Sequence, residues 1–282
     1  MAGKFLSRRL QGSCGRMLLL MLLPLVLAVA PPALGGSPAA SSGPPAPYTT
    51  LVDIVGLLPP PPAADSPAQQ ADLQAVLEAQ RAAHADGTLA HAVADVEQSC
   101  GRFSDALGDD LTSTSNSKLL AFLDEAARKG ALISVPAKKY WKRTRPYAYS
   151  AQVERLGDMA PQWKTAAGIE MGGMTNPEKE KAANERAHSS YPSGHATFGT
   201  VCAILLAEMV PEKREALFAR NRDYDHSRMV VGAHFPTDLE AGRIAGTLAA
   251  QLLLQDPRVR RELAAARSSL RASLGLPPTY KE

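Results

Sequence analysis

Cysteine is scarce in this chain, with 3 among 282 residues. Cys14 lies ahead of the first apolar run, which leaves Cys100 and Cys202, too few thiols for a thiolate metal cluster. Charge of one sign is equally scarce. The 31 Lys and Arg stand against 28 Asp and Glu for a net charge of +3, dispersed along the chain, so no nucleic-acid partner held by charge is expected. The 21 glycines and 22 prolines show no G-X-Y period, which excludes collagen, and 45% hydrophobic against 21% charged residues excludes a disordered chain. No run alternates apolar and polar residues as a half-buried strand would, and there is no internal repeat. After residue 30 the most apolar stretches, Phe198–Val210 and Ile244–Leu254, hold 13 and 11 residues, short of the roughly 20 that cross a bilayer. They suit the centre of a helical bundle.

The amino terminus is the one region with a marked charge pattern. The first acidic residue is Asp53, and ahead of it Lys4, Arg8, Arg9 and Arg16 precede the 14-residue apolar run Met17–Ala30, which contains Pro24. This is the layout of a secretory signal, with cleavage after Ala33-Leu34-Gly35 preferred because Pro31 disfavours a cut after Ala28-Val29-Ala30. A retained anchor is the alternative. The expected location is periplasmic, with no stable membrane insertion after cleavage, and loss of the four cations leaves a slightly acidic mature chain. Cys100 and Cys202 then form an even pair in an oxidising compartment. They are either bridged or two buried thiols, since both sit in apolar helical patterns.

The organisation read from the chain is a signal over 1–35, a flexible leader over 36–56 and a single-domain, all-α helical bundle over 57–282. Gly35–Pro47 is rich in small residues, Pro and Ser, and Leu57-Leu58 with Pro59 to Pro62 makes a stiff extended segment. From Ala68 the pattern is helical, with Leu73, Val76, Leu77 and Gln80 on one face until Gly87. Further helices are expected over Leu89–Leu107, Ser117–Lys129, Ser193–Val210, Glu212–Val231, Thr237–Gln255 and Arg258–Leu274. Gly157–Arg186 lacks periodicity and reads as a long excursion within the domain. A homo-oligomer is left open.

Three short segments carry chemistry. The first is Lys138, six residues, then Arg145-Pro146, in a basic stretch that also holds Lys139, Lys142 and Arg143; alone it is an ordinary solvated face. The second is Pro192-Ser193-Gly194-His195, opening an apolar helix. There Ser193 is a good N-cap, Gly194 admits a ligand close to the backbone, and the free N–H groups of the first turn attract an anion. The third is Ser227-Arg228, five residues, His234, three residues, Asp238. Pro236 would open a helix there, so the Asp238 carboxylate can reach one ring nitrogen of His234 and set its tautomer, while Arg228 offers a planar fork to phosphate. Together Lys138, Arg145 and Arg228 suit a tetrahedral anion, with His195 and His234 as proton donor and nucleophile.

These segments resemble the signature of the phosphatidic acid phosphatase type 2 and vanadium haloperoxidase superfamily, K-x6-RP, PSGH and SR-x5-H-x3-D. Within it the chain is similar to the class A bacterial non-specific acid phosphatases, through Leu57-Leu58 and Pro59 to Pro62 followed by Asp65-Ser66-Pro67. The resemblance spans most of residues 50 to 255. One departure lies in the block those enzymes write as G-S-Y-P-S-G-H-T, where this chain has Ser189 and Ala196 at the first and last positions.

The resemblance implies an all-helical fold, phosphate monoester substrates, inorganic phosphate as product and a phosphohistidine route that needs no metal or other cofactor. His234, oriented by Asp238, would attack phosphorus, and His195 would protonate the departing alkoxide and then act as base for water. Lys138, Arg145, Arg228, the Ser193 hydroxyl and the Gly194 N–H would hold the equatorial oxygens. Of the other histidines, His84, His91 and His226 have no assigned role and His188 is a candidate for the pocket rim. Rival readings are a vanadate-dependent haloperoxidase, which would use the same pocket, and a periplasmic phosphate-binding protein. The latter needs the cations but not two histidines with an orienting carboxylate.

Overall fold

The computed structural model of the protein describes residues 51–156 and 176–279, with the backbone alone for 176–180. The expected signal, Cys14 and residues 157–175 of the excursion lie outside them. The described residues belong to one compact unit, Pro45–Glu282. Among them there are helices and no strand: α1 (Ile54–Leu57), α2 (Pro67–Asp86), α3 (Leu89–Ala94), α4 (Ser104–Leu107), α5 (Ser117–Ala131), α6 (Val135–Trp141), α7 (Pro146–Tyr149), α8 (Asn176–Ala187), α9 (Gly194–Met209), α10 (Arg214–Val230), α11 (Pro236–Gln255) and α12 (Pro257–Ser273). The protein is all-α. No described helix is long and apolar enough to cross a membrane.

Local signals account for most boundaries. The Ser66 hydroxyl accepts the Gln69 N–H at 3.1 Å and Pro67 opens α2, which Gly87 ends at φ 77°. Helix α9 is apolar all round and lies at the centre, packed against α11, α10 and α5. Its Phe198, Val201, Leu205, Leu206 and Met209 are buried, each large apolar side chain contributing about 1.5–3 kcal/mol. The approach of α11 is set by small residues. A Cβ on Gly242 would stand 2.6 Å from the Ser193 carbonyl oxygen, and one on Gly246 would stand 2.7 Å from that of Thr197. The start of α9 is therefore seated directly on the α11 backbone. At the far end Arg271 of α12 forks onto Glu212 at 2.6 and 2.9 Å.

Four expectations need correcting. Leu89–Leu107 is not one helix: α3 stops at Asp95, whose side chain is fully buried, and a 3₁₀ turn over Cys100–Phe103 precedes α4. Tertiary hydrogen bonds to Asp95 override the apolar pattern there. The excursion is also partly ordered, since α8 spans Asn176–Ala187; its sequence is dominated by Glu, Lys, Asn and Ala and shows no apolar stripe to betray it. The leader reaches too far, because α1 begins at Ile54 and that side chain is buried in the core. Finally, α6 and α7 were not expected; each is short, and Pro136 and Pro146 open them.

Cys100 and Cys202 are bridged, with Cα atoms 5.5 Å apart and a sequence separation of 102. The bond joins the turn after α3 to the middle of α9. Replacing both cysteines by alanine is expected to lower the unfolding free energy by about 4–5 kcal/mol, the chain-entropy value for such a loop, and the thermal midpoint by roughly 10–15 °C. Calorimetry on the oxidised protein and the double variant checks this, and an unchanged midpoint would mean that the bridge constrains nothing.

Candidate active site

The site is assembled where the start of α9 meets the turn between α10 and α11. Ser193 caps α9, its hydroxyl oxygen accepting the Ala196 N–H at 3.2 Å, and its own N–H donates to the Asp238 carbonyl at 2.9 Å. The N–H groups at Gly194 and His195 fall in the first turn, where helix geometry leaves them without an intrahelical partner. Lys138 comes in from α6, and its ammonium donates to the carbonyls of Ser189 (2.8 Å) and Pro192. Its Cε lies 3.7 Å from where a Cβ on Gly194 would stand. Arg145, ahead of α7, donates from Nε to the Arg186 carbonyl (2.9 Å) and from Nη1 to the Ala233 carbonyl (3.1 Å). Backbone bonds thus fix the cations at the edge of one helix start.

The second half grows from the end of α10. Gly232, at φ 71°, would drive a Cβ to 2.3 Å from the Glu154 carbonyl oxygen, so only glycine makes this turn. Beyond it the Ala233 and His234 N–H groups donate back to the Arg228 carbonyl at 2.9 and 3.3 Å. That ties the nucleophile candidate to the arginine six residues earlier. Pro236 then opens α11 and Asp238 falls in its first turn.

Asp238 does not grip His234 as closely as its spacing suggests. Its Oδ2 is 3.5 Å from His234 Nδ1 and accepts instead the Ser190 hydroxyl (2.5 Å) and the Phe235 N–H (2.9 Å), while Oδ1 accepts Arg143 Nη1 at 2.7 Å. The tautomer of His234 is set from the opposite side. Arg145 Nη1 lies 3.2 Å from His234 Nε2, and a guanidinium only donates, so Nε2 carries the lone pair and the ring hydrogen is on Nδ1, toward Asp238. In His195 the pattern is reversed. Its Nε2 lies 3.0 Å from the Val96 carbonyl oxygen, which only accepts, so Nε2 carries hydrogen and Nδ1 is the nitrogen able to exchange a proton.

Electrostatics make this an anion site. Burial, with repulsion from Arg145, brings Lys138 down to about 7. Burial likewise brings Arg145 and Arg228 to about 10. Burial and then Arg228 hold His195 well below its ordinary value, and burial, Arg145, Lys138 and Arg228 do the same to His234. A bound dianion relieves every one of these penalties. His188 is exposed and its Nδ1 sits 2.9 Å from the Asn184 carbonyl oxygen.

Sequence reasoning passed over the groups that hold Asp238. Arg143 is buried and also reaches Gln69 Oε1 (2.6 Å), Asp72 Oδ2 (2.7 Å) and Thr237 Oγ1 (2.7 Å), with its guanidinium 4.4 Å above the Phe235 ring. Nothing local separates it from Lys139 and Lys142 beside it. A signal did exist in α2, where Gln69, Asp72 and Gln80 share the buried face with Leu73 and Val76. A metal-ligand type of group, His91, Asp95 and Asp223, has its ligand atoms within 4.8 Å of one another, but Arg102 and Arg220 already balance the two carboxylates.

Residues 126–262 match the model of the PAP2 superfamily, and the chain carries a PAP2 superfamily domain. It is similar to the non-specific acid phosphatase of Salmonella typhimurium, 29% identical over 76% of this chain and 78% of that one, and to that of Providencia stuartii, 27% identical over 77% and 80%. An acid phosphatase of Zymomonas mobilis is 38% identical over a shorter stretch, 29% of this chain and 31% of its own.

Two outcomes follow from this geometry. Gly242→Ala should cost about 1–3 kcal/mol and, by displacing the capped turn at Ser193, lower activity about 10–100-fold. Ile244→Ala, on the exposed side of the same helix, should change neither; equal effects in a urea titration and a rate assay would refute the seating of α9 on α11. The histidines set a pH dependence. Because their folded-state values are depressed, their contribution is full above the unfolded value near about 6.5. It is lost as pH falls below that, by up to about 1.4 kcal/mol per pH unit for each ring. Between pH 7 and 5 the ligand-free protein should lose stability more steeply than His195→Gln, and inorganic phosphate should lessen the loss. Parallel slopes would show that His195 is not held neutral.

Proposed function

We propose that this protein is a periplasmic acid phosphatase that hydrolyses phosphate monoesters of broad structure through a phosphohistidine at His234, without a metal ion. Phosphatase activity itself is supported by the PAP2 superfamily domain and by acid phosphatase relatives over three quarters of the chain. The observation that carries the mechanism is the pair of imidazoles in the cationic site, His234 buried and His195 half-buried. His234 presents an Nε2 lone pair beside Arg145 and His195 keeps Nδ1 for proton exchange.

In the reaction His234 Nε2 attacks phosphorus as the ester P–O bond breaks, and the alkoxide takes the proton of His195 Nδ1. Water then attacks the phosphohistidine, losing a proton to the same nitrogen, and phosphate leaves. Lys138, Arg145 and Arg228, with the N-terminal turn of α9, neutralise the equatorial oxygens, the task a metal clamp has elsewhere. The substrate dianion also makes His195 a proton donor, because its charge offsets the burial and the Arg228 repulsion that keep the empty ring neutral. Activity is therefore highest on the acidic side of neutrality. The cationic signal-like amino terminus and the Cys100–Cys202 bridge support an oxidising, extracytoplasmic location.

Rapid denaturing quench of the enzyme with phosphorus-labelled substrate should trap label on His234, with His234→Ala inactive and turnover indifferent to chelators. Label on another residue, or activity lost to a chelator and restored by a divalent ion, would overturn the mechanism.

A further inference from the structure

Beside the site lies a second buried polar cluster, centred on Asp95, that the reaction above does not use. Asp95 interrupts the apolar pattern at the end of α3 and its side chain is 0% exposed. Its Oδ1 accepts Arg220 Nη2 (2.5 Å) and Arg102 Nε (3.0 Å), its Oδ2 accepts the Ser227 hydroxyl (2.8 Å), and His91 Nε2 stands 3.4 Å away. Burial works to raise this carboxyl, but the bonds and charge of Arg220, with Ser227 and Arg102, bring it below its ordinary value. Such clusters are a poor source of stability, since well-packed apolar residues in their place are often as stable or more so. An uninterrupted helix through this segment would leave those charges in water.

The interruption leaves a row of carbonyls to accept from side chains. Val96 accepts from His195 Nε2 (3.0 Å), Glu97 from the Tyr224 hydroxyl (2.8 Å) and Gln98 from Arg128 (3.3 Å). The row ends at Cys100, bonded to Cys202 in the helix whose first turn holds His195. The Tyr224 ring also flanks His195, with centroids 6.1 Å apart.

We propose that Asp95 is a positioning residue for proton transfer: it locks residues 95–100 so that the Val96 carbonyl holds the Nε2–H of His195 and leaves Nδ1 aligned with the leaving group. The Nε2 hydrogen stays in place throughout; only the Nδ1 proton moves, to the departing alkoxide and back from water. This rests on the phosphatase reading above and deepens it.

The test compares kcat/KM for an alkyl phosphate and an aryl phosphate, whose good leaving group needs little protonation, together with inhibition by inorganic phosphate. Asp95→Asn should lower the alkyl rate about tenfold or more beyond its effect on the aryl rate, with the phosphate inhibition constant changed less than about threefold. Tyr224→Phe, which deletes one bond to the same row and keeps the ring, should show the same bias in smaller measure. In a His195→Ala background Asp95→Asn should add no further bias, because the two act as one unit. Equal losses on both esters, or a bias that survives without His195, would overturn the proposal. If Asp95→Asn does not fold, Tyr224→Phe decides, and a loss without bias overturns it. His195→Ala without bias would overturn both the proton-donor role and this inference; a biased His195→Ala with an unbiased Asp95→Asn overturns this inference alone.

Discussion

The carboxylate of Asp238 is the point on which the site depends. Fully buried, it receives hydrogen bonds from Arg143, from the Ser190 hydroxyl and from the Phe235 N–H, and its backbone carbonyl receives the Ser193 N–H. Through Arg143 it is joined to Gln69 and Asp72 of α2. One anion thus holds together segments from four places in the chain, and removing any partner would strand a charge in the interior, which is far more costly than the intact cluster is stabilising. Arg143 is the cation that meets this carboxylate directly, while Lys138 and Arg145 are held by backbone carbonyls.

That separation explains the electrostatics. A carboxylate placed among the three cations would neutralise the site and weaken the attraction it can exert on an anion. Held on the far side of His234, at 3.5 Å from Nδ1, Asp238 faces the ring hydrogen while Arg145 meets the Nε2 lone pair. Burial works against the charged form of the cations and imidazoles alike, and a bound dianion favours that form in all of them. Donors fixed in advance by backbone carbonyls need no reorganisation when charge develops on the phosphoryl oxygens.

The scaffold supplies this rigidity with few devices. Glycines on α11 let the capped start of α9 sit against its backbone, and the disulfide ties the middle of α9 to the turn that carries Val96. The imidazoles of His195 and His234 are therefore placed by elements that cannot shift independently. Helix α9 is buried along nearly its whole length, so a displacement at one end is resisted by close packing at the other.

The amino-acid sequence by itself determined the local features: the all-helical pattern, the Ser193 cap, the helix opened by Pro236, and the residue types of three segments that suit a phosphate. Each rests on neighbours within about four residues, where periodicity and capping act. It did not reveal Arg143 as a buried partner of Asp238, the break at Asp95, the ordered Asn176–Ala187 helix or which nitrogen of each imidazole bears hydrogen. Those were decided by the tertiary structure alone. A buried polar group is tolerated only where partners from distant segments converge on it, and no local pattern encodes which distant donor arrives.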